Sequence, residues 1–332
     1  MKKLIIALLS CCFAFSSCDL IEVVVDEIKD LTNNELNLPP ASSIEQFQSE
    51  EDIINMFDAA NKLLCTYILK QAEIEKIFFV TKDFDSITPE NSDIAELWAN
   101  GYRLINIANT CLNSLEASNF LNEEALMKYR AHFNAILGFT YKNMFEHWGA
   151  VPIITQGYIV AEDIYRPEER ELLEFIWERL ILSSDILMDE KPEVNYLSYP
   201  SILLALSEIK HSDYSASLEC CRKFKETTNT GEQVFCLCDE NGVNHTIYTR
   251  KHATLLELEY SYLIGNHNGG LNSVEDIISR WDQNSYGYWA MLKRLGKLAE
   301  VVGCPEYMTN FPIPQNELMV CPNLAQNPGY QY

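Results

Sequence analysis

Residues 311–330 read FPIPQNELMVCPNLAQNPGY. Prolines at 312, 314, 322 and 328 remove backbone donors and fix φ, so neither a long helix nor an interior strand can run through this stretch. With Pro305 just upstream, the last thirty residues are expected to run mostly irregular or extended. A string of this kind has no periodicity. Likeness to it in another protein therefore cannot come from a shared hydrophobic pattern.

Working back from the tail, residues 233–249 break an otherwise helical chain. Val234 to Cys238 and Val243 to Tyr248 flank Asp239-Glu240-Asn241-Gly242, which predicts a hairpin with an Asn-Gly turn. From residue 43 to this hairpin the pattern is mainly helical. Ser49-x-x-Asp52 is a capping signal, and Ile53, Met56, Phe57, Ala60, Leu64 and Tyr67 follow at steps of three and four. A polar loop spans Thr81 to Pro89. Asn91 can cap a second helix whose inner face carries Ile94, Leu97, Trp98, Ile105, Ala108, Leu112 and Leu115. A third helix is predicted from about Asn122 to Trp148, ended by Gly149 and Pro152. A fourth starts near Pro167 with Glu168 and Glu169 in its first turn, where they suit the helix dipole. Residues 200–228 read as a helix pair turning at Ser212-Asp213 and resemble a tetratricopeptide unit. A weaker echo joins LLELEYSYLIGN to SVEDIISRW, within residues 255–281.

The other end of the chain is an address. Residues 1–17 carry Lys2 and Lys3, then an uncharged run from Leu4 to Phe15. Twelve residues at 1.5 Å each cannot cross a hydrocarbon core of ~30 Å, so this is a signal-peptide core rather than a membrane span. Ser16-Ser17-Cys18 resembles the lipobox of bacterial lipoproteins, in which the cysteine is acylated after cleavage. Cys18 is thus the expected lipidation site, residues 18–42 a lipidated tether, and 43–332 a single helical domain. Eight further cysteines, at 65, 111, 220, 221, 236, 238, 304 and 321, have no tight disulfide framework or zinc-finger spacing and are expected as buried thiols.

Charge narrows the function classes. Asp+Glu is 48 against Lys+Arg 25, a formal charge of −23, and cleavage would remove two more lysines. Such a field repels phosphate backbones, so nucleic acid is not an expected partner.

The tail then acquires a meaning. Pro312-Ile313-Pro314, Glu317, Pro322-Asn323-Leu324 and Gln326-Asn327-Pro328-Gly329-Tyr330 resemble the C-terminal signature of the SusD/RagB family of outer-membrane lipoproteins, with Cys321 where that family often has Asn. Trp98-x3-Tyr102-x2-Ile105 with Asn109 resembles the family's early helix. Tyr129-Arg130-Ala131 and Gly149-Ala150-Val151-Pro152 resemble a later helix and its closing turn, and residues 175–185 the next helix. The resemblance runs from about residue 43 to 330. Most members are longer, and the missing length falls between Thr230 and Ala253. The implied fold class is mainly α: a tetratricopeptide-like helical bundle of the SusD type with a small β-hairpin and an irregular Pro-rich C-terminal tail.

The chain shows no GxSxG, HExxH, P-loop or GxGxxG motif, and none of its six histidines pair at i,i+4. No enzyme activity, metal or cofactor is expected. Sugar binding needs flat rings beside amides and carboxylates. The run Trp281-Asp282-Gln283-Asn284-Ser285-Tyr286-Gly287-Tyr288-Trp289 and the loop Lys82-Asp83-Phe84-Asp85 have that composition. The candidate ligand residues are Phe84, Asp85, Trp281, Asn284, Tyr286, Tyr288 and Trp289. The competing reading makes Trp281 and Trp289 core anchors of adjoining helices.

The resemblance implies a lipoprotein on the outer membrane, facing outside, that captures oligosaccharide or peptide and delivers it to a TonB-dependent transporter of the SusC type. The alternative is a structural or adhesive lipoprotein on the same scaffold that has lost its ligand site.

Overall fold

The computed structural model describes residues 47–331, apart from 156–160, 191–195, 210–213, 229–232, 240 and 266–272. The signal segment, Cys18, the tether and the Ser212-Asp213 turn lie outside the described residues. Eleven α-helices and one two-stranded sheet make up the described chain.

Helix starts follow the capping chemistry. Helix α1 (Glu50–Lys76) opens with a capping box, in which Ser49 Oγ accepts from Asp52 N–H and Asp52 Oδ2 accepts from Ser49 N–H at 2.9 Å. Helix α2 (Ser92–Ala117) is capped by Asn91 Oδ1, which accepts from Asp93 and Ile94 N–H at 2.9 and 3.0 Å. Helix α3 (Glu123–Trp148) starts at its Asn122 cap and ends at Gly149, whose φ of +73° turns the chain out of the helix. Helix α4 (Glu169–Leu187) follows, then α5 (Tyr199–Ser207) and α6 (Tyr214–Thr227).

These helices pack mainly on their sequence neighbours. Helix α3 lies between α2 and α4, and α4, α5, α6 and the later α7 (Arg250–Leu263) continue the series. This is the side-by-side array expected of tetratricopeptide-like pairs. Two glycines permit the closest approaches. A Cβ on Gly101 would stand 2.8 Å from Met144 Sδ, and one on Gly138 would stand 2.8 Å from Leu180 Cγ. Helix α3 is therefore enclosed, and Phe133, Ile136, Phe139, Tyr141, Met144 and Trp148 are fully buried along it.

The hairpin forms where the sequence places it, with β1 (Gln233–Cys238) antiparallel to β2 (Asn244–Thr249). Gly242 takes a positive φ of +77°, and a bulge interrupts the register around Phe235. After α7 come α8 (Val274–Arg280), α9 (Tyr288–Arg294) and α10 (Leu298–Val302).

The tail is less irregular than its prolines suggest. A six-residue helix, α11 (Gln315–Val320), fits between Pro314 and Pro322, because proline ahead of a first turn forfeits no intrahelical bond. The rest is held by side chains. Asn327 Nδ2 donates to the carbonyls of Trp148 (3.0 Å) and Phe311 (2.7 Å), and its Oδ1 accepts from Arg166 Nη1 at 2.7 Å. Gln326 brackets Ile313, accepting its N–H at 2.7 Å and donating to its carbonyl at 2.8 Å. Arg166 also donates to Ala150 and Trp148 carbonyls at 2.6 and 3.0 Å. The Gln-Asn-Pro-Gly-Tyr string is thus a bracket that closes the C-terminal end of α3. Among the described residues no helix is long and apolar enough to cross a membrane. The eight cysteines from 65 to 321 are all free thiols, and all but Cys238 are buried.

Candidate ligand cleft

Helix α1 does not end cleanly. Its last residues run into one wider π-type turn, Ile77–Thr81, and Lys82 then takes a left-handed φ of 54°. Phe78 and Phe79 leave this turn in different directions. Phe78 is fully buried, against Trp289 (4.9 Å between ring centroids) and Phe311 (5.7 Å). Phe79 stays half-buried and meets Tyr288 at 5.3 Å.

Phe79 forms one wall of a cleft of about 360 Å³. The C-terminal half of α1 supplies Ile68, Gln71 and Glu75, β2 supplies Asn244 to Ile247, and the loop before α9 supplies Gln283 to Tyr286. Val80 stands at the rim, 65% exposed. Gln71 is only 4% exposed; its Nε2 donates to Glu75 Oε1 at 2.9 Å, while its Oε1 has no hydrogen-bond partner. Glu75 Oε1 also faces His147 Nε2 at 2.9 Å, and His147 Nδ1 faces the Asn143 carbonyl at 2.9 Å.

Behind the cleft α3 carries buried charge. Lys142 Nζ lies 2.9 Å from Glu146 Oε1 and 2.6 Å from Glu208 Oε2, and donates to Tyr286 Oη at 3.2 Å. Burial alone would lower the Lys142 amine, but Glu146 and Glu208 hold it above its ordinary range. Burial would likewise raise the Glu208 carboxyl, yet Lys142 and His252 hold it well below the usual carboxylate range. Tyr248 donates its hydroxyl to Glu208, and Tyr286 donates to Asn143 Oδ1 at 2.7 Å. The Tyr286 ring therefore lines the cleft with a fixed orientation, its hydroxyl consumed inside the protein.

The seven residues singled out in the sequence divide. Asn284 and Tyr286 line the cleft, and Asn284 is exposed, with its backbone N–H on Asp282 Oδ1 at 2.9 Å. Trp281 is 6% and Trp289 1% exposed. Trp289 stacks on His147 at 5.5 Å and donates to the Glu146 carbonyl, and Trp281 meets His252 edge-on at 5.0 Å. Both are core anchors, and neither offers a face to a ligand in this conformation. Tyr288 is 6% exposed and backs Phe79. Phe84 packs on Phe78 at 6.0 Å in the short turn Phe84–Ser86, and neither it nor Asp85 borders the cleft. Gln71, Glu75 and Phe79 were not anticipated. The sequence shows Gln71 and Glu75 at i,i+4 on one face, but it shows neither the burial of Gln71 nor the direction of Phe79.

No family model matches the sequence, and no curated protein matches it either. Solved structures do. A SusD superfamily protein from Bacteroides vulgatus superposes with a TM-score of 0.70 at 11% identity, over 86% of this chain and 100% of that one. A laminarin-binding SusD-like protein gives 0.69 at 13% identity over the same shares. A SusD superfamily protein from Bacteroides thetaiotaomicron gives 0.68 at 11%, again over 86% and 100%. At such identities it is the backbone arrangement that is shared. The chain has the fold of the SusD superfamily.

Proposed function

We propose that this chain is a lipid-anchored glycan-binding protein. It captures a neutral oligosaccharide in the cleft between α1, β2 and the 283–286 loop and passes it to a TonB-dependent transporter of the SusC type. One observation carries the reading. The cleft pairs a half-buried aromatic ring, Phe79, with a buried amide oxygen, Gln71 Oε1, that has no protein partner. A pyranose offers both complements, an apolar C–H face for the ring and hydroxyl donors for the oxygen. At about 360 Å³ the cleft is at the small end of ligand sites and suits a chain end or a short stretch of glycan. The laminarin-binding neighbour of the same fold supports a neutral glucan as the first ligand to try. Binding and handover make and break no covalent bond, so no catalytic group is called for.

Glycan-array screening followed by calorimetry tests the capture step. A hit weakened by Phe79→Ala supports the reading; a hit indifferent to Phe79 and Gln71 removes it from this cleft. Loss of acyl labelling in Cys18→Ala and protease shaving of intact cells test the anchor and the outward orientation. Co-purification with a transporter tests delivery. Glycan silence with retained transporter binding would favour peptide as the cargo.

A further inference from the structure

A second pocket of about 310 Å³ lies between α3, α4, the start of α6 and α9. Phe145, Leu173, Ile176, Ile209, Tyr214 and Ala290 make its walls mostly apolar. Three cations border it, and two are already matched by carboxylates. Lys142 holds Glu146 and Glu208, and Arg294 grips Glu259 through two bonds of 2.7 and 3.1 Å. Lys293 is different. Its Nζ donates to the Glu146 backbone carbonyl at 2.8 Å and to Asn310 Oδ1 at 2.6 Å, both neutral acceptors. No described carboxylate forms an ion pair with it. An ammonium has three N–H donors, so one remains uncommitted. Burial lowers this amine to about 8, which leaves it largely protonated near neutrality.

We propose that this pocket binds a small monocarboxylate with an apolar body, its carboxylate on the third N–H of Lys293 and its body against Phe145, Leu173 and Ile176. The ligand class follows from the surroundings. Glu146, Glu169 and Glu208 offset the three lining cations, which leaves no surplus positive charge for a doubly charged phosphate. The apolar walls offer few partners to the hydroxyls of a sugar. One charge-assisted bond with burial of a hydrocarbon body suits both features. The pocket is separate from the glycan cleft, so either assignment can fail alone.

Calorimetry of the full chain with hexanoate is the test, with hexanol and inorganic phosphate as comparison probes. Hexanoate is expected to bind one to one, and hexanol and phosphate at least tenfold more weakly. Lys293→Met keeps the stem and removes the charge, and should weaken hexanoate at least tenfold. Ala290→Phe fills the pocket without touching the charge and should abolish binding, which covers the case in which Lys293→Met fails to fold. Absence of hexanoate binding, equal binding of hexanol, or unchanged affinity in a folded variant would overturn the proposal.

Discussion

Asn327 and Gln71 are both buried amides, 3% and 4% exposed, and the protein uses them in opposite ways. Asn327, in the C-terminal bracket, spends both donors on carbonyls and its oxygen on a guanidinium. Gln71, in the cleft, makes one bond and leaves its oxygen bare. A saturated amide fixes structure, because all of its bonding capacity is spent inside the protein. A half-used amide costs stability while empty and repays it when a donor arrives. The difference separates scaffold from site better than burial or polarity does.

The same substitution should therefore give opposite results at the two positions. Asn327→Leu strands the Phe311 carbonyl, takes one of two donors from the Trp148 carbonyl and one acceptor from Arg166, and should cost about 3 kcal/mol, read as a fall in urea midpoint. A cost below about 1 kcal/mol would mean that the bracket is ornamental. Gly329→Ala attacks the bracket sterically. Its φ is +92°, and a Cβ would stand 2.5 Å from Tyr307 Cβ. A loss of about 2–3 kcal/mol is expected in thermal unfolding.

Acid separates a third region from these two. His132 on α3 has a buried Nδ1 without a partner, beside Phe57 at 4.9 Å, and burial lowers its ring to about 4. The unfolded chain thus binds a proton that the folded chain refuses. Stability should fall as pH drops from about 6.5 towards 4, by roughly 2 kcal/mol more in the wild type than in His132→Phe. Superimposable pH profiles of the two proteins would sink that assignment.

In the cleft, Phe79→Ala should weaken oligosaccharide binding about tenfold, equivalent to ~1.4 kcal/mol. The smallest expected effect is the most telling. Gln71→Leu should change stability by no more than about 0.5 kcal/mol, or raise it, while lowering glycan affinity severalfold. If it destabilised the protein as Asn327→Leu does, the contrast between the two amides would collapse.

The motif of the tail was legible in the sequence and the cleft was not, for a physical reason. Gln326 and Asn327 stand within one twenty-residue string, although Arg166 and the Trp148 carbonyl that Asn327 meets do not. Helix boundaries were local: Ser49, Asn91, Asn122 and Gly149 each mark an end through a cap or a turn that their own chemistry demands. The cleft is assembled from residues 68–80, 244–247 and 283–286, and no local rule joins those stretches. The aromatic run at 281–289 was visible as composition. Which way its rings turn was not, because that depends on His147 and His252 packing against Trp289 and Trp281 from distant helices. Phe79 sits in the wide turn Ile77–Thr81, and nothing in IFFVT announces that turn. The charges of α3 were hidden for a related reason. Lys142 and Glu146 stand at i,i+4, a spacing common on solvated faces, and only the helices packed around them bury the pair.

The thiols carry a practical consequence. Only the thiolate reacts, and burial pushes Cys65 and Cys221 up to about 12 and Cys220 to about 11. Cys238 alone among the described cysteines reaches the surface, and it sits on the strand paired with the one that lines the cleft. Among the described cysteines a maleimide dye would settle there, and its emission would report on what enters and leaves the cleft.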